Sequence, residues 1–167
     1  KKMYLLNGHI NTDESELNLN LQLVDITDNK LLSYSLPKNQ KDFTLTLAMN
    51  KRYLAFFNNL GYCFTSKIIN NEKDSLMIDV IPIDSQKKIQ INDLSLDSRS
   101  NDFENESAMI LDKFVTFLKL NSHIRITIFA NQVFGKKIEE YLIKSGIRDD
   151  RFSISFSSSP NVFYQIN

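Results

Sequence analysis

The sequence is poor in several residue types that specific chemistries require: it contains one cysteine, four glycines and no tryptophan among 167 residues. A single cysteine excludes an internal disulfide and any zinc site built from several thiolates. So few glycines argue against a glycine-rich, phosphate-binding loop. The residues around Cys63, Gly61-Tyr62 and Phe64, are typical of a strand. We therefore expect a buried, inert thiol, because a reactive one would need a nearby histidine.

Net charge and long apolar runs are absent as well. Twenty basic and twenty acidic side chains cancel, so no net positive field would attract nucleic acid or an anionic membrane surface. No apolar stretch approaches the roughly 20 residues needed to cross a bilayer. Residues 1–6 are too short for the apolar region of a signal peptide. The sequence thus predicts no nucleic-acid partner and no transmembrane segment.

The first half of the sequence has the period of β-strands. Leu17, Leu19, Leu21 and Leu23 alternate with polar residues, which predicts a strand with one buried face. Turn-forming residues separate this run from others of the same kind. The predicted strands lie at residues 3–10, 17–23, 31–36, 43–47, 53–57, 62–69 and 76–81. About seven short strands at spacings of roughly ten residues predict a β-sandwich.

The period changes after about residue 84. The apolar residues Ile110, Leu111, Phe114, Phe117 and Leu118 fall on one face of a helix. A second helical pattern covers residues 134–142, and Gly146 stands where a left-handed C-terminal cap is expected. Strand patterns lie at residues 89–94, 124–128, 152–156 and 162–166. This order predicts an α/β domain with two helices on one face of a small mixed sheet. We expect a β-sandwich in residues 1–84 and this α/β domain in residues 85–167.

The second half resembles the OmpA C-terminal domain family. Residues 92–97 (NDLSLD) resemble the family's opening strand "N-x-I-x-F-D", and residues 117–122 (FLKLNS) resemble the helix end "fLkenP". Residues 124–128 (IRITI) match the next strand, "lkIeI". Residues 141–147 (YLIKSGI) are close to "YLi..GI", and 151–152 (RF) to "dRl". The ordered set covers about 75 residues.

The first half is similar to carboxypeptidase-regulatory-like sandwiches, which belong to the transthyretin type of fold. The similarity lies in residues 3–35, followed by 43–47, Tyr53 and Gly61-Tyr62. A sandwich of this kind directly before an OmpA-like domain resembles outer-membrane-associated proteins of Bacteroidota, including peptidoglycan-tethering subunits of secretion machinery. The resemblance implies a periplasmic, outer-membrane-associated location, often with a lipid anchor upstream.

The sequence departs from the OmpA-like family at the ligand site. The family holds peptidoglycan with a "GHTD" loop and an arginine in "LSxxRA"; the aspartate meets the ammonium group of diaminopimelate and the arginine its carboxylate. Here Asn131, Gln132 and Val133 stand in the loop positions and Phe134 at the arginine position. Some fifteen to twenty residues between them are missing. Two explanations stay open: a domain that has lost its ligand, or a sequence from which a loop-bearing segment is absent.

No other residues predict a catalytic, cofactor or metal site. His9 and His123 have no cysteine or carboxylate at ligand spacing. Asp149 and Asp150, beside Arg148 and Arg151, are typical of a solvated charged turn. Asp97 resembles a structural aspartate at a strand end, and no second acid accompanies it as glycan hydrolysis would require. The sequence therefore favours a protein that is not an enzyme.

Adjacent aromatic residues supply the predicted partner surface. Phe56-Phe57 and Phe163-Tyr164 lie in predicted strands, where neighbouring side chains face opposite sides, so one of each pair is expected to be exposed. The favoured function is a non-catalytic structural or interaction subunit of an outer-membrane-associated complex, with outer-membrane or periplasmic proteins as partners. The alternative is a peptidoglycan-binding anchor that tethers an outer-membrane machine to the cell wall.

Overall fold

The computed structural model describes residues 2–57, 59–70 and 75–167. The chain divides into two units, Lys1–Pro82 (unit 1) and Ile83–Asn167 (unit 2); the sequence predicts this boundary after residue 84. The described residues are rich in β-structure and form three sheets and two α-helices. Neither helix has the length and apolar character needed to cross a membrane.

Unit 1 consists of strands, as its alternating sequence pattern predicts. Its described strands form two sheets, with the orders β4-β1-β7 and β3-β2-β5-β6. Neighbouring strands are antiparallel except β1 and β7, which are parallel. The strands are β1 (Met3–Asn11), β2 (Asn20–Asp25), β3 (Lys30–Ser35), β4 (Asp42–Ala48), β5 (Tyr53–Phe57), β6 (Ser66–Ile69) and β7 (Leu76–Asp79).

Both sheets of unit 1 contribute to one hydrophobic core. Leu45 and Leu47 of β4 belong to the same buried cluster as Leu21 and Leu23 of β2. Exposed and buried residues alternate along β4 from Asp42 to Leu47, which is the pattern that the sequence predicts for this strand. Full burial of each leucine stabilises the fold by about 1.5–3 kcal/mol.

The pairing of β1 with β4 includes a close approach of a ring to a glycine. Gly8 lies directly opposite Phe43 in the antiparallel register. A Cβ atom built on Gly8 would lie 2.2 Å from two carbon atoms of the Phe43 ring. The ring therefore occupies the space that any larger residue at position 8 would need, and Phe43 itself is buried.

Unit 2 combines a four-stranded mixed sheet with the two α-helices. The sheet has the order β10-β9-β11-β8, in which β9 and β10 are parallel and β11 is antiparallel to both β9 and β8. A short 3₁₀ helix, Asp149–Arg151, precedes β10. The elements are β8 (Ile89–Ile91), α1 (Asn105–Leu120), β9 (Ile126–Ala130), α2 (Gln132–Lys144), β10 (Phe152–Phe156) and β11 (Val162–Ile166).

The buried face of α1 is the one predicted from its apolar spacing: Ile110, Leu111, Phe114, Phe117 and Leu118 are all buried. Helix α2 ends in a Schellman motif, because the Gly146 N–H donates to the Ile143 carbonyl and the Ile147 N–H to the Leu142 carbonyl. The φ angle of Gly146 is 88°, which confirms the left-handed cap that the sequence predicts.

An arginine from a distant part of unit 2 closes the C-terminal end of α1. The last carbonyl groups of a helix have no partner within the helix. Arg151 Nη2 donates to the carbonyl oxygens of Leu118 and Asn121 at 2.9 and 3.0 Å, and its Nε donates to that of Ile124 at 3.0 Å. The sequence predicts a solvated charged turn at residues 148–151. This description fits Arg148 and Asp150, whose side chains hydrogen-bond to each other at the surface. It is wrong for Arg151, which is partly buried.

Candidate functional site

The four residues that the resemblance aligns with the OmpA-like ligand positions, residues 131–134, lie at the junction of β9 and α2. β9 ends at Ala130 and α2 begins at Gln132, so Asn131 is the sole residue between them. Asn131 has an extended backbone, and its Oδ1 accepts a hydrogen bond from the Phe134 N–H at 2.9 Å. This is the geometry of a helix N-cap. The junction leaves no loop in which a ligand could be enclosed.

Phe134, which the resemblance aligns with the OmpA-like arginine, packs against another aromatic ring. Its ring centroid lies 6.3 Å from that of Phe103, which in turn makes an edge-to-face contact with Tyr141 at 6.1 Å. Phe134 is partly buried, whereas Gln132 and Val133 are exposed. Phe103, Phe134 and Tyr141 therefore form an aromatic cluster.

Helix α2 lies unusually close to the edge strand β10. A Cβ atom on Gly135 would lie 2.8 Å from the Phe156 ring and 2.9 Å from a methyl group of Ile154. Gly135 is buried, so the absence of a side chain lets the helix approach the strand. The first turn of α2 is thus fixed by the Asn131 cap on one side and by β10 on the other.

A cleft of about 240 Å³ lies beside the aromatic cluster. Phe103, Ala108 and Tyr141 form its less polar part, and two acidic and two basic side chains surround them. The charged groups balance, so the cleft has no excess of either sign. Its lining residues are Asp102, Phe103, Ala108, Lys137, Glu140, Tyr141 and Lys144.

Two side chains of the cleft, Lys137 and Tyr141, have raised pKa values. Lys137 Nζ lies 3.1 Å from Asp102 and 3.8 Å from Glu140. The hydrogen bond to Asp102 is the main reason that the pKa of Lys137 is raised. Burial, followed by the hydrogen bond to the Asp112 carboxylate, raises the pKa of Tyr141. Lys137 therefore remains a cation and Tyr141 a hydrogen-bond donor at neutral pH, and neither is prepared to act as a base or a nucleophile.

Two aspartates outside the cleft, Asp25 and Asp97, stabilise turns and do not form part of a reactive cluster. Burial would raise the pKa of Asp25, but the hydrogen bond from Lys51 and those from backbone N–H groups lower it. The Asp97 Oδ1 accepts from the Ser100 and Arg99 N–H groups, which lower the pKa of Asp97. Both pKa values are lowered, away from neutral pH, whereas acid–base catalysis is favoured by pKa values that are shifted toward it. Among the residues that the structure describes, no cluster of His, Cys, Asp or Glu could hold a metal ion.

The expectation that one residue of each aromatic pair is exposed is wrong for Phe56 and Phe57, and it agrees in part with the second pair, in which Phe163 is partly exposed and Tyr164 is buried. Phe56 and Phe57 are 7% and 8% exposed, and both faces of their strand β5 are buried. Tyr164 is 0% exposed and packs 5.0 Å from Phe114 of α1. Phe163 is partly exposed, opposite Phe129 and Gln90 in the sheet. β5 has a strand on each side and two covered faces, so the alternation of its side chains leaves neither phenylalanine exposed.

The largest exposed apolar side chains lie at positions that the aromatic pairs do not indicate. They include Leu60 and Leu5 in unit 1 and Phe156 in unit 2. A sequence signal existed for Phe156: it ends a strand and is followed directly by three serines, which cannot cover it. Phe156 is also the last residue of an edge strand, a position where a partner strand can bind.

Replacement of Asn131 tests whether this residue acts as a cap. Asn131→Ala is expected to lower the free energy of unfolding by about 1 kcal/mol, because the Phe134 N–H loses its acceptor. Asn131→Asp should keep the cap, and Gln132→Ala, at the exposed neighbour, should change stability by less than about 0.5 kcal/mol. Urea denaturation followed by circular dichroism measures all three. Equal stability of Asn131→Ala and Gln132→Ala would contradict the capping role.

Two comparisons with known proteins leave the family open. No protein-family model matches the chain. No curated protein matches it. The likeness to carboxypeptidase-regulatory-like and OmpA-like domains therefore rests on the sequence motifs described above.

Proposed function

We propose that the chain is a non-catalytic interaction subunit of an outer-membrane-associated complex in the bacterial periplasm. In this proposal unit 1 is a carboxypeptidase-regulatory-like β-sandwich. Unit 2 is an OmpA-like domain that keeps the scaffold of its family without the peptidoglycan-binding groups. Its partners are outer-membrane or periplasmic proteins, in a bacterium of the Bacteroidota type.

The proposal rests mainly on the structural roles of the residues that the resemblance aligns with the OmpA-like ligand positions. Asn131 caps α2 through its side chain, and Phe134 packs against Phe103. The family's ligand needs an anion and a cation at a fixed separation, since diaminopimelate carries both charges. Here the Asn131 amide, which is engaged with the backbone, and the Phe134 ring take those places. Neither group carries a charge, so the site would not bind a zwitterion, while the Asn131 cap stabilises the start of the helix.

The element order supports the two family assignments within the proposal. The sequence β8-α1-β9-α2-β10-β11, with a mixed sheet, fits the β-α-β-α-β-β order expected for an OmpA-like domain. In unit 1, two sheets that share one core fit a sandwich. The shifts in pKa at Lys137, Tyr141, Asp25 and Asp97 all favour the ordinary protonation states, which is consistent with a binding role rather than a catalytic one.

Co-sedimentation with purified sacculi separates the proposed function from its alternative, a peptidoglycan anchor. We expect the chain to stay in the supernatant, whereas an OmpA-like domain that keeps its loop aspartate and its arginine, used as the positive control, should pellet. Retention on sacculi that resists salt and is competed by free diaminopimelate would establish the anchor and contradict the proposal.

The partner class needs a separate measurement. Cross-linking in intact cells, followed by purification from solubilised membranes, should recover outer-membrane or periplasmic proteins with the chain. A matched sample of the chain produced without export serves as the control for contacts made after lysis. Recovery of cytoplasmic proteins alone would contradict the assignment to the envelope.

A further inference from the structure

The edge strand β10 has a row of backbone groups without a partner in the described structure. The Ser157 N–H, directly after the strand, donates to the Ala130 carbonyl of β9 at 2.8 Å. In a strand, successive residues direct their backbone groups to opposite sides, so Ser153 and Ser155 also bond toward β9. The N–H and C=O groups of Phe152, Ile154 and Phe156 therefore point to the free edge.

The side chains of β10 leave this edge unprotected. Natural edge strands commonly carry a charge, a proline or a bulge that blocks pairing with another chain. β10 has the sequence FSISF and contains none of these. Its last residue, Phe156, is 58% exposed. By contrast, β8 at the other edge of the sheet has only three residues, and the edge strands of unit 1 contain the charged residues Lys30, Asp42, Lys67 and Asp79.

We propose that β10 pairs with β10 of a second copy of this chain, antiparallel and centred on Ile154, so that two unit 2 sheets become one continuous sheet. The proposal concerns self-association and does not depend on the proposed function. It follows from the self-complementarity of the strand: an uncharged segment meets no like charge in its own copy, and its free donors and acceptors match a second identical edge.

The register follows from which residues face outward. A two-fold axis at Ile154 places Phe152 opposite Phe156 of the second copy and Ile154 opposite its own equivalent. These are the residues with free backbone groups, so each pair exchanges both of its N–H···O bonds. Phe152, Ile154 and Phe156 share one face of the strand, the one that approaches Gly135 of α2. Pairing would thus cover the exposed Phe156 ring with the Phe152 ring of the second copy.

The opposite face of the strand is also compatible with this arrangement. Ser153 would lie opposite Ser155 of the second copy in a non-hydrogen-bonded pair, where side chains come closest. Hydroxyl groups in such a pair can hydrogen-bond to each other. A five-residue strand gives a small interface, so we expect a weak dimer with a dissociation constant between about 1 μM and about 1 mM.

Sedimentation equilibrium of the complete chain tests the dimer. The wild type should associate as its concentration rises. Phe156→Lys, which places a charge on the exposed edge, should raise the dissociation constant by about tenfold or more. Ile143→Lys is the matched control, because Ile143 is also about half exposed in unit 2 but lies on α2; it should change the constant by less than about twofold. A wild type that stays monomeric at ~1 mM, or equal effects of the two variants, would overturn the proposal.

Disulfide trapping tests the register independently of any loss of stability in Phe156→Lys. Ser153→Cys and Ser155→Cys are made as separate variants and oxidised alone or mixed. Opposed Cα atoms about 4.5 Å apart can form a disulfide, whereas the diagonal neighbours at about 7–8 Å cannot. A covalent dimer is therefore expected in the mixture and not in either variant alone. Equal cross-linking in all three samples would overturn the register, and none in the mixture would overturn the pairing. The native Cys63 is buried, and the oxidised wild type controls for it.

Discussion

Tyr164→Ala should lower the free energy of unfolding of unit 2 by about 3–5 kcal/mol, while Phe163→Ala should cost about 1 kcal/mol or less. The two residues are neighbours in β11 and of similar size, but Tyr164 is fully buried and Phe163 is not. The ring of Tyr164 lies 5.0 Å from that of Phe114 and 6.2 Å from that of Phe117. Its removal leaves a cavity between the sheet and α1.

Urea denaturation followed by far-ultraviolet circular dichroism measures this difference. Both α-helices belong to unit 2, so the loss of helical signal reports the unfolding of that unit even if unit 1 unfolds separately. The Phe163→Ala variant controls for the loss of an aromatic side chain from the same strand. Equal midpoints for the two variants would show that Tyr164 is not the buried member of the pair.

Arg151→Ala should destabilise unit 2 by about 2–3 kcal/mol, because three carbonyl oxygens, at the end of α1 and in the turn that follows it, lose a charged donor. Arg148→Ala, three residues earlier, removes an exposed arginine that pairs with Asp150 and should cost less than about 0.5 kcal/mol. Arg151→Lys should be intermediate, since one ammonium group cannot match the planar fork of a guanidinium.

Hydrogen exchange localises the effect of Arg151. The amides of residues 117–124 should exchange faster in Arg151→Ala, and those of β11 should change less, if the loss begins at the end of α1. The cost should also persist at high salt, because carbonyl groups rather than carboxylates accept these hydrogen bonds. The same exchange pattern in Arg148→Ala would argue against a specific role for Arg151.

The sequence predicts best those elements in which one face is buried and the other is solvated. In β4 the alternation of Phe43, Leu45 and Leu47 matches three buried positions. In α1 the spacing from Ile110 to Leu118 matches the buried face. In both cases the period of the apolar residues is the period of the backbone, so local sequence is sufficient.

Prediction is weaker where burial depends on a distant element. Phe56 and Phe57 must face opposite sides of β5, but the spacing of residues in one strand does not say whether the second side is covered. Both turn out to be buried. The same limit explains Arg151: it resembles Arg148 in its local charge pattern, and only the end of α1, about 30 residues earlier, distinguishes them.

The candidate site stays a prediction, although the structure shows where its residues lie. The resemblance aligns Asn131 and Phe134 with the OmpA-like ligand positions, and both residues lie at the start of α2. The neighbouring cleft was not predicted, because Lys137 pairs with Asp102, 35 residues away in sequence. No repeated spacing or motif connects these two residues, and the contact exists only once α2 lies beside the segment that precedes α1.

The contact between Gly8 and Phe43 also fixes how β1 aligns with β4. A shift of one residue would bring Asn7 or His9 beneath the ring, where there is no room for a side chain. The same shift would turn Leu6 and Ile10 out of the core, because alternate residues face opposite sides of a strand. The lack of a side chain at Gly8 therefore permits the observed register of these two strands and disfavours the registers that are shifted by one residue.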